Sequence, residues 1–173
     1  QAPGRAPIGH YPPPSQGIGV EERQAGCPFA NHWHIPLGRT DRNRAGVLKE
    51  GQGAADLPPE MRQNLNGDWS RNKFKRLKWE GTFHTIVAQA PQPSVSSVVH
   101  PAQHRVLTVR EAAAAQTFPD DFVFFATKPT TRTAKVEAQY RMVGNAVPPA
   151  LARAWGEQIL RAAAADILRH DES

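Results

Sequence analysis

The sequence has little sulfur and no long apolar run: one cysteine and two methionines in 173 residues. Cys27 alone excludes an internal disulfide and a cysteine-rich zinc site, which fits a reducing compartment. No apolar stretch approaches the ~20 residues that a membrane-spanning helix requires. Hydrophobic residues make up 39%, beside 16 prolines and 13 glycines. So little core-forming material leaves part of the chain unable to offset its own ordering entropy. Acidic groups are also short, 16 Asp and Glu against 21 Lys and Arg, for a net charge of +5 and a pI near 9.8. That balance favours a polyanionic partner. The length suits one compact domain. The sequence opens at Gln1 without an initiator methionine, which reads as a processed product or the tail of a longer polypeptide.

What is present falls into three stretches. Residues 1–55 read as a linker or poorly ordered region. Pro3, Pro7 and Pro12-Pro13-Pro14 lie among Gly, Ser and Gln in its first half, and a basic polar run spans Arg39 to Lys49. His10, Cys27, His32 and His34 lack the regular spacing of four zinc ligands, so no metal site is expected. After Pro58-Pro59 comes a short helical stretch, Glu60 to Asn64. In Asp68–Trp79 the cations Arg71, Lys73, Lys75, Arg76 and Lys78 are interleaved with Trp69, Phe74, Leu77 and Trp79. Such a pattern suits phosphates held beside stacked rings, and equally a half-buried strand with a solvated lysine face. The β-branched runs Phe83–Ala88 and Val95–Val99 predict strands. Thr85 stands within the first, its hydroxyl available to a phosphate oxygen.

Farther on, Thr108 and Glu111 have capping-box spacing and open a helix that ends before Phe118-Pro119. A second helix, Ala134–Val143, is expected to stop at Gly144 through positive φ. A third runs from Pro148 to about Arg169. Its stripe Leu151, Trp155, Ile159, Ala163 and Ile167 predicts a core-facing side. The Gly144–Pro149 corner would present an amide side chain and helix-start N–H groups, a setting that favours a carboxylate or phosphate.

Two runs carry a family resemblance. H-P-A-Q-H-R-V-L-T-V-R-E-A-A-A-A-Q-T-F-P-D at His100–Asp120 and Y-R-M-V-G-N-A-V-P-P-A-L-A-R-A-W-G at Tyr140–Gly156 resemble the last two signature blocks of the DNA (cytosine-5)-methyltransferases. The Ala-Val-Pro-Pro form is similar to the eukaryotic type, fungal enzymes included. F-K-R-L-K-W-E-G-T-F-H-T-I-V at Phe74–Val87 resembles the end of that family's target-recognition domain, so the likeness covers about residues 56–160.

The resemblance implies an α/β fold. The chain would be the C-terminal portion of an S-adenosylmethionine-dependent, Rossmann-like methyltransferase, with the end of a recognition domain at 56–104 and completing helices at 105–173. It also implies that Gly144, Asn145, Ala146 and Val147 bind S-adenosylmethionine. Thr85 would contact the DNA backbone, with Arg71, Lys73, Lys75, Arg76, Lys78 and Arg105 on the DNA side. Glu111 is accounted for by its cap.

Two positions depart from the family pattern: Ala114 stands where arginine is usual, and Thr117 where glycine usually precedes Phe-Pro. No catalytic residue is found, because the family's nucleophilic cysteine follows a proline, and Cys27 follows Gly26. The chain alone is therefore expected to be inactive and to need a missing N-terminal catalytic half, from the same polypeptide or a separate subunit. The alternatives are a non-catalytic DNA-binding accessory module and one half of a split enzyme. Nuclear localisation follows from the eukaryotic flavour of the motif.

Overall fold

The computed structural model describes residues 29–63, 65, 73–89, 91–96, 98–126 and 131–171, and side chains as far as residue 167. Cys27 and Arg71 lie outside the described residues. Among the described residues four helices follow one another: α1 (Arg39–Val47), α2 (Val109–Ala115), α3 (Arg132–Asn145) and α4 (Pro149–Asp171), with 3₁₀ turns at Ala54–Asp56 and Pro59–Met61. The basic run at 39–49 is thus helical. Its pattern hides this because within α1 only Arg44 and Ala45 are buried, and Arg44 is held by polar bonds. Its guanidinium donates to Met61 O (2.8 Å), Gln63 O (2.6 Å) and Asp41 Oδ1 (3.0 Å). The helix expected at 60–64 is the 3₁₀ turn Pro59–Met61.

The strands expected at 83–88 and 95–99 are absent among the described residues; around them run the isolated bridges Arg76–Val99 and Val99–Val106. Segment 73–77 lies between 51–54 and 98–99. Arg76 N–H donates to Gln52 O and Leu77 N–H to Val99 O. On the far side Leu107 N–H donates to Val98 O. β-Branched composition favours a pleated surface but does not by itself create a ladder, which needs successive partners on a neighbouring strand.

At the centre sits α2. Val109, Arg110, Glu111, Ala112, Ala113 and Ala114 are all buried, and the alanines leave room for neighbours on every side. Its first N–H groups are all matched. Val109 donates to Trp33 O, Arg110 to Asn31 O, and Glu111 to Thr108 Oγ1 (3.1 Å), while Thr108 N–H donates to Glu111 Oε2 (2.7 Å). Asn31, at φ 60°, clamps a distant loop as well: Nδ2 donates to Phe124 O and Oδ1 accepts from Phe124 N–H. Residues 30–33, within the stretch whose composition reads as linker, are therefore buried core.

The C-terminus of α2 forms a Schellman turn: Phe118 N–H reaches Ala113 O (2.9 Å) and Thr117 N–H reaches Ala114 O (3.0 Å). Thr117 takes φ 74°, where glycine is usual, at a cost on the order of 1–3 kcal/mol. α3 packs on α2 through Val136, Gln139, Tyr140 and Val143, and the Tyr140 hydroxyl donates to Leu107 O.

Two expectations fail here. Gly144 does not end a helix through positive φ, because it lies inside α3. A Cβ built on it would stand 2.5 Å from both Ala88 N and Val87 C. Glycine is needed for close approach of the 87–88 backbone, and its freedom of φ is not used. The α4 stripe is also not core, since Leu151, Trp155, Ile159 and Ile167 are exposed, Trp155 at 68%. Helical periodicity identifies an apolar face without saying what covers it, and no α4 residue as far as Ile167 joins the buried cluster.

Candidate functional site

The described residues form an open cleft of about 430 Å³ between segment 83–86 and the end of α3. Phe83, His84, Thr85 and Ile86 line one side; Ala115 at the end of α2 and its C-cap Gln116 line another; Gly144, Ala146 and Pro148 complete the lining. The α3 end is drawn in by the Gly144–Val87 approach and by Gln116 Nε2, which donates to Val143 O (3.4 Å). Thr85 thus shares one cleft with Gly144 and Ala146, two groups that the sequence alone assigns to separate tasks. Asn145 and Val147 are exposed beside it and are not among its lining residues.

Of the helix-start N–H groups, Ala150 N–H is occupied: it donates to Thr117 Oγ1 at 2.8 Å. Sequence reasoning missed Thr117 and Gln116. Only the departure from glycine at 117 marked the first, and an amide at the end of an alanine run looks like any solvent-facing helix end.

The expected DNA-side cations separate into two groups. Lys78 is exposed, Lys75 is partly exposed with Nζ 3.3 Å from His84 Nε2, and Lys73 is half-buried. Trp79 is exposed beside them and meets the His100 ring edge-on at 5.5 Å. Arg76 and Arg105 lie inside the protein. Arg76, 3% exposed, donates to Leu48 O (2.9 Å), His100 O (2.5 Å), Pro101 O and Gln103 O (both 3.0 Å), and also to Ala45 O. Its remaining neighbour is His104 Nδ1, at 3.0 Å. No donor remains to reach out to a phosphate, and burial alone lowers its pKa.

Arg105 pairs in fork geometry with Glu111, Nη1 to Oε2 at 2.7 Å and Nη2 to Oε1 at 2.8 Å. Burial pushes the Glu111 carboxyl up. The Arg105 bonds and charge and the Thr108 N–H outweigh it and hold the carboxyl below its usual value. His100 completes the network, with Nε2 3.9 Å from Glu111 Oε1 and Nδ1 accepting from the N–H groups of Ala102 (3.1 Å) and Gln103 (3.0 Å). Burial first, then the Arg105 charge, brings its pKa down to about 4. His32 is also internal, against Thr108 Oγ1 at 3.1 Å, and burial lowers the pKa of His34.

The family model for C-5 cytosine-specific DNA methylases matches residues 37–161, from α1 through the first half of α4. The chain belongs to this family. Methylases similar to it come from bacteria and eukaryotes alike, so the eukaryotic flavour of the Gly-Asn block does not decide its source. The chain is 37% identical over 120 residues to the Type II methyltransferase M.AgeI of Thalassovita gelatinovora, covering 69% of this chain and 26% of that relative. To DNA (cytosine-5)-methyltransferase 1 of Mus musculus it is 41% identical over 97 residues, 56% of this chain and 5% of that one. M.DdeI of Desulfomicrobium norvegicum is 32% identical over 133 residues, 73% and 32% respectively. The chain therefore spans from about a twentieth to about a third of these relatives.

Methylases of this family use S-adenosylmethionine, and the cleft fits one wall of a site for it. Gln116 and Thr85 offer polar side chains, and Ala146 and Pro148 offer apolar surface. No carboxylate lines the cleft to take ribose hydroxyls, the usual partner in nucleotide crevices. The space beside the Gly144 Cα is filled by the chain's own 87–88 backbone, and Gly144 and Ala146 are the members of the Gly-Asn-Ala-Val set that line the cleft.

Proposed function

We propose that this chain is the C-terminal segment of a DNA cytosine-5 methyltransferase, carrying the end of the recognition domain and the helices that close the cofactor pocket. The observation that carries this reading is the cleft, where Thr85 of the DNA side meets Ala146 of the Gly-Asn block within a chain of the methylase family. S-adenosylmethionine, when bound, supplies the electrophilic methyl group. This chain's own part is to hold DNA and to wall the cofactor. Lys75 and Lys78 attract phosphates, the Thr85 hydroxyl donates to one, and Trp79 offers a ring for stacking. Gly144 and Ala146 wall the cofactor on the side facing segment 83–86, with Asn145 and Val147 exposed beside them. The cysteine nucleophile and the Rossmann-like sheet belong to polypeptide beyond this chain.

The exposed apolar stripe of α4 suits packing against that polypeptide, whether it continues this chain or is a separate subunit. The test is transfer of labelled methyl groups to duplex DNA by the purified chain, alone and mixed with the N-terminal catalytic portion of a relative such as M.AgeI. We expect no turnover alone and turnover in the mixture. Turnover by the chain alone would overturn its dependence on a missing half. DNA binding without turnover in any mixture would point to an accessory module.

A further inference from the structure

We propose that Thr117 is a positioning residue for the cleft: its hydroxyl carries the first turn of α4 and so sets the Ala146–Pro148 wall against α2. Three observations converge on it. Thr117 holds φ 74° at the glycine position of a Schellman turn, a strained conformation for a β-branched residue. From that turn its Oγ1 accepts the Ala150 N–H at 2.8 Å, 33 residues along the chain. The first turns of α4 contribute nothing to the buried cluster, so core packing does not fix its start.

The stretch between the end of α3 and Ala150 is short, and it contains the cleft residues Ala146 and Pro148. Val143 anchors its near end, where Ala146 N–H donates to Val143 O at 3.3 Å. Thr117 anchors its far end. Glycine at 117 would relieve the backbone and forfeit the anchor, so the threonine exchanges local comfort for a fixed wall. The inference concerns the chain's own geometry, and only the identity of what the wall covers rests on the methyltransferase reading.

Amide hydrogen exchange on the full 173-residue chain tests it, with Thr117→Ser, Thr117→Ala and Thr117→Gly compared. Ala150 N–H is expected to exchange about fivefold faster in the Ala and Gly variants, the loss of one hydrogen bond of about 1 kcal/mol, and at the original rate in Thr117→Ser. Thr117→Gly should also have a higher urea midpoint than Thr117→Ala, because glycine suits the turn. The separation of Ala150 protection from global stability is what a merely structural residue would not produce. Unchanged Ala150 exchange in Thr117→Gly, or equal loss in Thr117→Ser, overturns the proposal. The amides of Ala112 and Gln116, bonded within α2, report that each variant stays folded. Failure of the methyl-transfer experiment leaves this result untouched.

Discussion

At the scale of single residues, position in the core separates cations that look alike in the sequence. Arg76 and Lys78 are two residues apart in the same basic run, yet one is a buried hub and the other faces solvent. Arg76→Ala strands the carbonyls of Leu48, His100, Pro101 and Gln103 and should unfold the chain, seen as loss of the cooperative urea transition. Lys78→Ala should leave the urea midpoint in place and weaken duplex binding, with the slope of log affinity against log salt reduced by about 1. The run shows that cations are present. Which of them face inward depends on where Val99 and Leu48 fall across the fold, and local sequence does not contain that.

The histidine–carboxylate network sets a pH dependence. His100 falls from an ordinary value near 6.5 to about 4 on folding. The unfolded chain therefore binds the extra proton between those values, and stability falls as pH drops through that window. Glu111, held below its usual value, acts in the same direction in more acid solution. Arg105, Arg76 and His32 also face His100, and their charges oppose its protonation. Urea unfolding should give a free energy flat above about pH 6.5, falling by roughly 3 kcal/mol toward pH 4. His100→Asn, which keeps an acceptor for the Ala102 and Gln103 N–H groups, should remove most of that fall and leave the part that His34, lowered by burial, adds in the same direction. A fall of the same size in the variant would assign the slope elsewhere.

At the scale of elements, the signals written in short range were legible. Thr108 and Glu111 form the capping box that their spacing announces, and α2 ends where Pro119 requires. What was not legible depends on a second segment. Gly144 reads as a helix stop until Val87 and Ala88 are seen against it, and 83–88 reads as a strand until no neighbour pairs with it. The α4 stripe shows the same limit. Trp155→Ser and Ile159→Ser together should change the unfolding free energy from urea titration by no more than about 0.5 kcal/mol for each site, the usual cost at a surface. Losses of about 3–5 kcal/mol, the usual cost of emptying a core position, would mean that the stripe is covered in solution. Gly144→Ala has no such latitude, and overpacking against backbone should cost about 1–3 kcal/mol.

For the molecule as a whole, the family was legible from two motif runs, while the construction of the core was not. The motifs lie at 100–120 and 140–156, but the core also draws on Ala30, Asn31, His32 and Trp33, which precede the family match at 37–161. No short-range pattern in a proline-rich N-terminal third announces that one of its turns will clamp a helix farther along. The clamp has a consequence in time. Trp33 Nε1 donates to Gln139 Oε1, 106 residues later, and Asn31 waits 93 residues for Phe124. At roughly 5–20 residues per second, a ribosome leaves this indole and this amide without their partners for on the order of 5 to 20 seconds. The core can therefore close only after α3 has emerged, and the chain spends its synthesis with an unclosed long-range contact that invites either slow post-translational folding or the help of a chaperone.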